Sequence, residues 1–224
     1  MDSIATSTTN GTRRKAMKPV AIAKALWAYG RIVRDPNRLA DVFSLSDALT
    51  NPVIMERIAA NIRARGAAAA LAEKHRIVVN LVELDKLPEG TFGRTYSMFM
   101  RQNGLTPDAI PHLESLDEYS FIRAHLYETH DIWHAATGFK SNVAGELGLQ
   151  GFYASQIDGA LPAAILAAGL LNTALTMPAD RAERFEEIGR GIAMGARAKL
   201  FFGVKWDKLW DRPLATVREE LSIS

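Results

Sequence analysis

Apolar residues recur every three to four positions along most of this chain, which is the period of an amphipathic α-helix. A short apolar run at residues 77–79 is the one competitor to a helical pattern. Two helices are predicted, and each is expected to pack one apolar face on the core. The first carries Val20, Ala23, Leu26, Trp27 and Ile32, and the second carries Ile54, Ile58 and Ile62. The chain therefore reads as an all-α protein.

Helix boundaries are marked by residues that satisfy unpaired backbone groups. Asparagine, threonine and aspartate accept hydrogen bonds from the first turn, and glycine ends a helix in the left-handed conformation. Such signals occur at Asn51 before Pro52, at Thr91, at Asn103 and Gly104, and at Asp180 with Glu183 as a capping box. The last of these opens a long helix through Phe185, Ile188 and Ile192.

The run His130-Asp131-Ile132-Trp133-His134 carries the main chemical signal. Apolar residues at helical spacing and a terminal Gly138 place this run on a helix. Positions i and i+4 lie on one helical face, so His130 and His134 present two imidazoles to the same point, with Asp131 beside them.

Glu146 follows His134 after eleven residues. Ser141 or Asn142 can cap a second helix, and an αα-hairpin would return the Glu146 carboxylate over the imidazoles. Nitrogen and oxygen ligands of this kind favour Zn, Fe or Mn over Ca or Mg. A solvated polar pair on an amphipathic helix is the alternative interpretation. A metallopeptidase motif would place Glu where this chain has Asp131.

The segment from Leu147 to Leu175 is the most apolar part of the chain, but polar residues and a proline interrupt it too often for a membrane span of about 20 residues. A buried core helix and the wall of an apolar tunnel or groove for an isoprenoid tail are both consistent with it. Gly189, Gly191 and Gly195 indicate close helix packing, within the chain or across a homodimer. They follow no strand, so no nucleotide cofactor is predicted.

Composition sets limits on these interpretations. A chain of 224 residues can form one domain with a sizeable core, and the absence of cysteine excludes disulfides and thiolate metal sites. The net charge is only +2, but residues 1–76 hold 13 basic and 6 acidic side chains. These basic residues could meet anionic lipid headgroups or form a solvated face. No motif or interleaving of aromatic and basic residues supports nucleic-acid binding.

The first 16 residues are predicted to be disordered, and residues 17–224 to form the helical domain. No secretory hydrophobic region is found among the first residues, which favours a bacterial cytoplasmic protein. His125 is expected to be a core or surface histidine rather than part of the metal site.

Several motifs resemble those of the coenzyme Q (ubiquinone) biosynthesis Coq-four family. They are His130-Asp131-x-x-His134 with Glu146, Leu87-Pro88-Glu89-Gly90-Thr91-Phe92-Gly93-x-x-Tyr96, Leu161-Pro162, and Pro213-Leu214-x-x-Val217-Arg218-x-x-Leu221. The resemblance extends over roughly residues 75 to 222, and Phe92 replaces the leucine usual in the family.

The resemblance implies a helical protein that binds a polyprenylated quinone precursor at a membrane surface, together with other ubiquinone-biosynthesis proteins. It implies that His130, Asp131, His134 and Glu146 hold one divalent metal ion, Zn by family resemblance and Fe or Mn as alternatives, and form the catalytic site. The implied reaction is oxidative decarboxylation of a polyprenylated hydroxybenzoate. The implied location is peripheral to the bacterial inner membrane, or on the matrix side of the mitochondrial inner membrane in a eukaryote.

Three functions remain open from the residues: a metal-dependent enzyme acting on a prenylated aromatic acid, a non-catalytic lipid-binding scaffold, and a hydrolase that uses metal-bound water with Glu146 or Asp131 as base.

Overall fold

Helices make up the regular structure of this chain, as its hydrophobic period predicts. The computed structural model describes residues 19–35, 38–107 and 113–224, and the segment 1–16 that was predicted to be disordered lies outside them. Among the described residues, the only β-type pairing is an isolated bridge between Thr91 and Pro213. The all-α prediction is confirmed.

The α-helices of the described residues are α1 (Pro19–Arg34), α2 (Leu39–Leu49), α3 (Pro52–Ala64), α4 (Ala68–Glu73), α5 (Leu81–Leu84), α6 (Phe92–Gln102), α7 (Glu118–Glu128), α8 (His130–Thr137), α9 (Val143–Gln156), α10 (Ala160–Thr176), α11 (Arg181–Arg197) and α12 (Leu214–Glu220), with a 3-10 turn at Trp206–Lys208.

Most of the predicted helix ends carry the expected caps. The Asn51 side chain accepts hydrogen bonds of 3.0 and 3.1 Å from two backbone N–H groups in the first turn of α3, directly after which Pro52 begins the helix. Thr91 accepts from the Arg94 N–H at the start of α6. Gly104, just beyond the end of α6, has a φ of 65°. These boundaries arise from local side-chain chemistry, so the sequence predicts them correctly.

The predicted capping box at Asp180 is wrong. The Asp180 side chain makes no capping bond and instead accepts a hydrogen bond of 3.0 Å from Arg184. Arg184 is buried and also donates to Asn172 on α10 at 2.8 Å. A buried guanidinium needs a counter-charge, and this requirement outweighs a local cap on an exposed turn.

A large apolar core holds α8 and α9 in the middle of the molecule. Trp133 on α8 stacks on Tyr153 of α9, with ring centroids 4.2 Å apart and planes at 15°. Trp133 also meets Phe201 edge to face at 5.2 Å, and Phe201 meets Trp206 at 5.1 Å. Aromatic pairs of this kind contribute about 0.5–1.5 kcal/mol each beyond their buried area. The helix that bears the two histidines is therefore fixed on its apolar side.

Glycines bring α9 and α11 into close contact. A Cβ on Gly191 would overlap the carbonyl oxygen of Gly148, and a Cβ on Gly195 would lie 2.7 Å from the carbonyl oxygen of Phe152. A Cβ on Gly189 would meet nothing within 4 Å. The close packing predicted from these glycines is thus found within the chain, at Gly191 and Gly195.

The first helix packs differently from the sequence expectation. Ile32 on α1 is buried, but Leu26 and Trp27 are 67% and 64% exposed. Arg31 forms an ion pair with the buried Asp41 of α2 and stacks over the Trp27 ring at 3.7 Å. The core-packing prediction for Leu26 and Trp27 is wrong, because α1 buries only its face toward α2 and α10.

The apolar helix α10 is half buried. Ala168 and Gly169 are buried, whereas Leu170, Leu171 and Leu175 are 40%, 43% and 71% exposed. The core-helix interpretation therefore holds for one face only, and the other presents leucines to the surroundings. No helix within the described residues is both long and apolar enough to cross a membrane.

Candidate metal centre

The helix that carries His130 and His134 is separate from the one that precedes it. The two helices are separated at Thr129, which has φ −96° and ψ −1° and lies between α7 and α8. The Thr129 hydroxyl donates to the His125 carbonyl at 2.7 Å. A hydroxyl that binds the preceding turn in this way often bends a helix. His130 and His134 nevertheless remain one turn apart on α8.

The turn after α8 reverses the chain. Gly138 has φ 78°, and its N–H donates to the His134 carbonyl at 2.8 Å, which ends the helix as predicted. Asn142 caps α9 by accepting from the Gly145 N–H at 2.9 Å. A Cβ at Gly145 would lie 2.6 Å from the Lys140 nitrogen, so only glycine allows this close approach. Because α9 begins so close to this turn, Glu146, in its first turn, returns to α8.

Three of the four predicted site residues come together on this hairpin. One ligand atom from each of His130, His134 and Glu146 lies within 4.8 Å of the other two. His134 Nε2 is 3.1 Å from Glu146 Oε1, and His130 Nε2 is 3.5 Å from Glu146 Oε2. The His134 side chain is fully buried, while His130 and Glu146 remain 29% and 40% exposed. The group is therefore open to ligands on one side.

The hydrogen bonding of His134 fits a cation site. Its Nδ1 lies 3.0 Å from the Phe139 carbonyl oxygen, which can only accept, so Nδ1 carries the hydrogen. In the neutral ring, the buried Nε2 then directs a lone pair at a carboxylate oxygen of Glu146. Two lone pairs in such proximity require a proton or a metal ion between them. Donors bound at about 2.1 Å and tetrahedral angles lie roughly 3.4 Å apart. The two distances from the histidine nitrogens to Glu146, 3.1 and 3.5 Å, are close to this value.

Charge coupling within the group shifts two pKa values. Burial alone would raise the pKa of Glu146, but hydrogen bonds and positive charge from His130 and His134 outweigh burial and lower it. Burial alone would lower the pKa of His130, yet the hydrogen bond and charge of Glu146, with the charge of Asp131, raise it. The carboxylate of Glu146 is thus held in its ionised, ligand-competent form.

Asp131, the fourth predicted ligand, is not part of this group of three. Its charge acts on two buried tyrosines: burial, and then the negative charge of Asp131, raise the pKa of both Tyr96 and Tyr153. Asp131 therefore lies on α8 between the two histidines in sequence, near enough to Tyr96 and Tyr153 for its charge to act on them.

The family of the chain follows from comparison with known sequences. The model of the coenzyme Q (ubiquinone) biosynthesis protein Coq4 family matches residues 17–224. The chain belongs to the Coq4 family. This confirms the resemblance found in the motifs, and the match extends well before residue 75, where the motif resemblance began.

Mitochondrial members of the Coq4 family are similar to about two thirds of this chain. It is 32% identical over 162 residues to the ubiquinone biosynthesis protein COQ4 homolog, mitochondrial, of Rattus norvegicus, a match covering 70% of this chain and 60% of the relative. Identity to the Danio rerio homolog is 29% over 163 residues, covering 68% and 58%. The chain thus spans about 60% of the length of the curated relatives it matches.

A solved structure shares the fold of this Coq4 family member. The crystal structure of a protein from Nostoc punctiforme, described as a ubiquinone biosynthesis protein, matches with a TM-score of 0.77 and 28% identity. The match covers 91% of this chain and 98% of that chain. The helical architecture is therefore shared across almost the whole chain.

Two aromatic residues of the Coq4 site were not singled out as site residues from the sequence. Tyr153 stacks along His130 with ring centroids 6.0 Å apart and planes at 19°. Phe99 on α6 stacks on His134 at 5.5 Å and 18°. Both rings restrict the imidazoles to one orientation. The helical period assigns Phe99 to an amphipathic helix, but spacing alone does not indicate which ring it will face.

Two arginines bind the carboxyl end of α8. Arg218 on α12 donates from Nε to the Ala136 carbonyl at 2.8 Å, and Arg190 on α11 donates to the Thr137 carbonyl at 3.3 Å. Cations at this end favour a helix because its last carbonyls lack partners. Arg218 belongs to the closing motif of the chain, which was the sequence signal for it.

His125 belongs to the core rather than to the metal centre, as expected. It is buried, its ring meets Phe202 at 4.8 Å, and its Nε2 accepts a hydrogen bond of 3.1 Å from the Gly203 N–H. Burial lowers the pKa of His125 to about 4, with a smaller contribution from the charges of His75 and Arg76. His125 therefore stays neutral and joins α7 to the chain before α12.

Proposed function

We propose that this chain is a metal-dependent enzyme of ubiquinone biosynthesis that oxidatively decarboxylates a polyprenylated hydroxybenzoate at a membrane surface. The observation that carries the proposal is the convergence of His130, His134 and Glu146 on one hairpin, with the lone pair of His134 Nε2 directed at Glu146. Family membership places the chain in ubiquinone biosynthesis. The activity and substrate are inferences from the site.

The proposed ligands are His130, His134 and Glu146, with Asp131 as the fourth. Two imidazoles and carboxylates suit Zn, Fe or Mn, and Zn is the ion that family resemblance favours. A divalent cation bound there would stabilise negative charge on a coordinated carboxylate or phenolate as carbon dioxide leaves. Replacement of the ring carboxylate by a hydroxyl also needs an oxidant. Dioxygen would serve that role, either with Fe or Mn or with an easily oxidised substrate. It would accept two electrons and two protons and leave as hydrogen peroxide, while water supplies the hydroxyl oxygen.

Side chains around the ligands support this chemistry by orienting groups and excluding water. Phe139 fixes the tautomer of His134 through its carbonyl, and rings from Tyr153 and Phe99 hold the two imidazoles. A ligand held by an outer partner is better oriented and more basic. Glu146 is ionised and partly exposed, so its carboxylate can bind a cation beside a bound substrate.

Lipid binding is supported by apolar side chains that the fold leaves exposed. Leu26 and Trp27 on α1, and Leu170, Leu171 and Leu175 on α10, are all at least 40% exposed. The two helices pack against one another. Exposed apolar groups of this kind mark interaction sites for membranes, lipids or proteins. In this proposal these side chains contact the bilayer, or a polyprenyl tail in an apolar tunnel or groove. Other exposed apolar surface contacts a second copy of the chain in a homodimer and other ubiquinone-biosynthesis proteins.

The proposed location is peripheral to the bacterial inner membrane. The curated relatives are described as mitochondrial, so the corresponding site in a eukaryote would be the matrix side of the inner membrane. The proposed domain is residues 17–224, preceded by a disordered segment at 1–16.

Membrane binding should depend on salt if the basic amino-terminal third contributes to it. Arg13, Arg14, Lys15 and Lys18 lie outside the described residues, whereas Lys24 on α1 is exposed. Raising the ionic strength from about 0.1 to 1 M shortens the Debye length from about 10 to 3 Å. Binding to anionic vesicles in a sedimentation assay should therefore weaken severalfold, and neutralising the four basic residues should weaken it further.

Neutral phosphatidylcholine vesicles are the control for this assay. Binding that does not change with salt or with vesicle charge would contradict the electrostatic contribution. It would assign membrane contact to the exposed apolar side chains of α1 and α10 alone.

A non-catalytic lipid-binding scaffold is the second candidate, and the half-exposed α10 is the observation that favours it. In that function the metal would only hold the hairpin together. The enzyme and scaffold functions differ in whether the Glu146 carboxylate has a chemical task.

Replacing Glu146 by Gln separates the enzyme from the scaffold. The change keeps the volume and one carbonyl oxygen but removes the negative charge that would hold the metal ion. Because Glu146 is 40% exposed, the fold should tolerate the substitution. In cells that depend on this chain, ubiquinone should fall at least about tenfold and a carboxylated prenyl precursor should accumulate, as measured by mass spectrometry of extracted quinones.

Glu83→Gln, at an exposed position on α5, is the matched control and should leave quinone levels unchanged. Both variants must remain helical and must carry as much co-purified lipid as the parent chain. Normal quinone levels with Glu146→Gln would exclude a catalytic role for this carboxylate and favour the scaffold.

A further inference from the structure

A second opening lies beside the metal centre, on the side of the hairpin turn. It is a cavity of about 580 Å³ bordered by α6, by the turn that joins α8 to α9, and by α12, and is called the α6–α12 cavity below. Met98, Phe99 and Phe139 contribute apolar and aromatic walls, and Arg218 contributes a guanidinium. The volume falls within the range of about 300–1,000 Å³ that small-molecule sites occupy.

Arg218 brings a positive charge into this cavity, and no carboxylate among the described residues pairs with it. Its Nε donates to the Ala136 carbonyl, and Nη2 is at the long distance of 3.5 Å from the Ala135 carbonyl. Nη1 has no acceptor among the residues that the structure describes. Burial, with a further contribution from the charge of Arg190, lowers the pKa of Arg218, and no acidic group counters this shift. The outer edge of the guanidinium is therefore available to an anion.

The neighbouring cations are already paired. Lys140, which also borders the cavity, forms an ion pair of 3.2 Å with Glu183. Arg190 forms one of 2.6 Å with Glu187 and covers the Phe139 ring at 3.8 Å. One guanidinium without a counter-charge matches a ligand with one negative charge. A phosphate, with a charge of about −1.5 to −2 near neutral pH, would be left undercompensated.

We propose that the α6–α12 cavity binds an aromatic monocarboxylate and that Arg218 pairs with the carboxylate. A guanidinium presents two parallel N–H groups to a carboxylate, which is a geometry that lysine cannot reproduce. The ring of the ligand lies among Met98, Phe99 and Phe139. Phe99 also stacks on His134, so the bound ring is next to a ligand of the metal centre.

Identification of this ligand as the substrate headgroup rests on the proposed function. In that case Arg218 holds the carboxylate that the reaction removes, and the specificity for an aromatic acid comes from the closing motif of the chain. The hydrogen bonds from Arg218 to α8 come from Nε and, at 3.5 Å, from Nη2, which leaves Nη1 and the second N–H of Nη2 for an anion. Helix capping and anion binding are thus compatible.

The test uses 4-hydroxybenzoate as the probe, titrated into the full chain by isothermal calorimetry, with 4-hydroxybenzamide as its neutral isostere. We expect 4-hydroxybenzoate to bind at least about tenfold more tightly than the amide, because the amide lacks the charge that pairs with Arg218. Inorganic phosphate should compete only weakly. Equal affinity for acid and amide, or tighter binding of phosphate, would overturn the proposal without any variant having to fold.

Variants then assign the charge. Arg218→Gln should lower affinity for 4-hydroxybenzoate at least about tenfold while metal stoichiometry is retained. Arg218→Lys keeps the charge but not the paired N–H groups, so its affinity should lie between those of the parent chain and Arg218→Gln. Lys140→Gln removes a cation that Glu183 already pairs and should change affinity less than about threefold. Unchanged affinity in Arg218→Lys and Arg218→Gln would overturn the assignment.

Glu146→Gln distinguishes this inference from the proposed function. Glu146 does not border the α6–α12 cavity, so the variant should bind 4-hydroxybenzoate normally while losing metal. If the parent chain does not bind 4-hydroxybenzoate but Glu146→Gln still abolishes ubiquinone production, the cavity assignment is wrong and the proposed enzymatic function is retained. If 4-hydroxybenzoate binds and Glu146→Gln supports normal ubiquinone levels, the cavity assignment stands and the enzyme is wrong.

Discussion

Replacing His134 by Ala should abolish stoichiometric binding of a divalent ion. The parent chain is expected to hold about one ion, because three ligand atoms already lie within 4.8 Å of one another. His134 is the buried member, and its Nε2 has no other partner among the described residues. Loss of outer partners alone costs metal sites roughly 10–100-fold in affinity, so loss of a ligand should exceed about 100-fold.

Metal content by inductively coupled plasma mass spectrometry, with titration of Zn, Fe and Mn into chelated protein, measures this effect. His75→Gln is the matched control, because His75 is a half-buried histidine that pairs with Asp207 at 2.8 Å, and it is not part of the group of three. A His134→Ala protein with native helicity and about one tightly bound ion per chain would show that the ligand assignment is wrong.

Gly191→Ala should destabilise the fold strongly, although alanine is the better helix former. The added methyl would overlap the Gly148 carbonyl oxygen of α9, which is backbone and cannot rotate away. Overpacking of this kind typically costs about 1–3 kcal/mol, whereas replacing glycine by alanine in an open helix gains up to about 1 kcal/mol. Gly191→Ala is therefore expected to lower the free energy of unfolding by about 1–3 kcal/mol.

Gly189→Ala, two residues earlier on the same helix, is the control because its Cβ would meet nothing within 4 Å. This variant should be as stable as the parent chain or more stable by up to about 1 kcal/mol. Urea denaturation followed by circular dichroism gives both values. Equal stability of the two variants would mean that α9 and α11 are not in contact at these glycines.

The metal hairpin was predictable because the signals for it are local. Gly138 ends α8 and Asn142 begins α9 through bonds that reach no more than four residues along the chain. The spacing of His130 and His134 sets their common face once the helix exists. Spacing also placed Asp131 beside the histidines, and the expected hairpin returned Glu146 to them. The resemblance to the family implied the same four ligands, and the structure brings Glu146 to the histidines.

Asp131, Leu26 and Asp180 show where such reasoning stops. Helical spacing places Asp131 beside the histidines, but its position relative to two tyrosines depends on α6 and α9. Leu26 has a core-like pattern, yet α1 turns it outward because only one face of that helix has neighbours. The Asp180 side chain pairs with Arg184 instead of capping α11.

Short-range rules therefore account for the helical class, most helix ends, and the approximate place of the metal centre, since these depend on hydrogen bonds and periodicity within a few turns. Contacts between distant segments decide the rest. Three features depend on residues about 20 to 80 positions apart: the close contact of α9 and α11 at their glycines, the rings that flank His130 and His134, and the hydrogen bond of Arg218 to α8. The energy of such packing is not encoded in any local pattern.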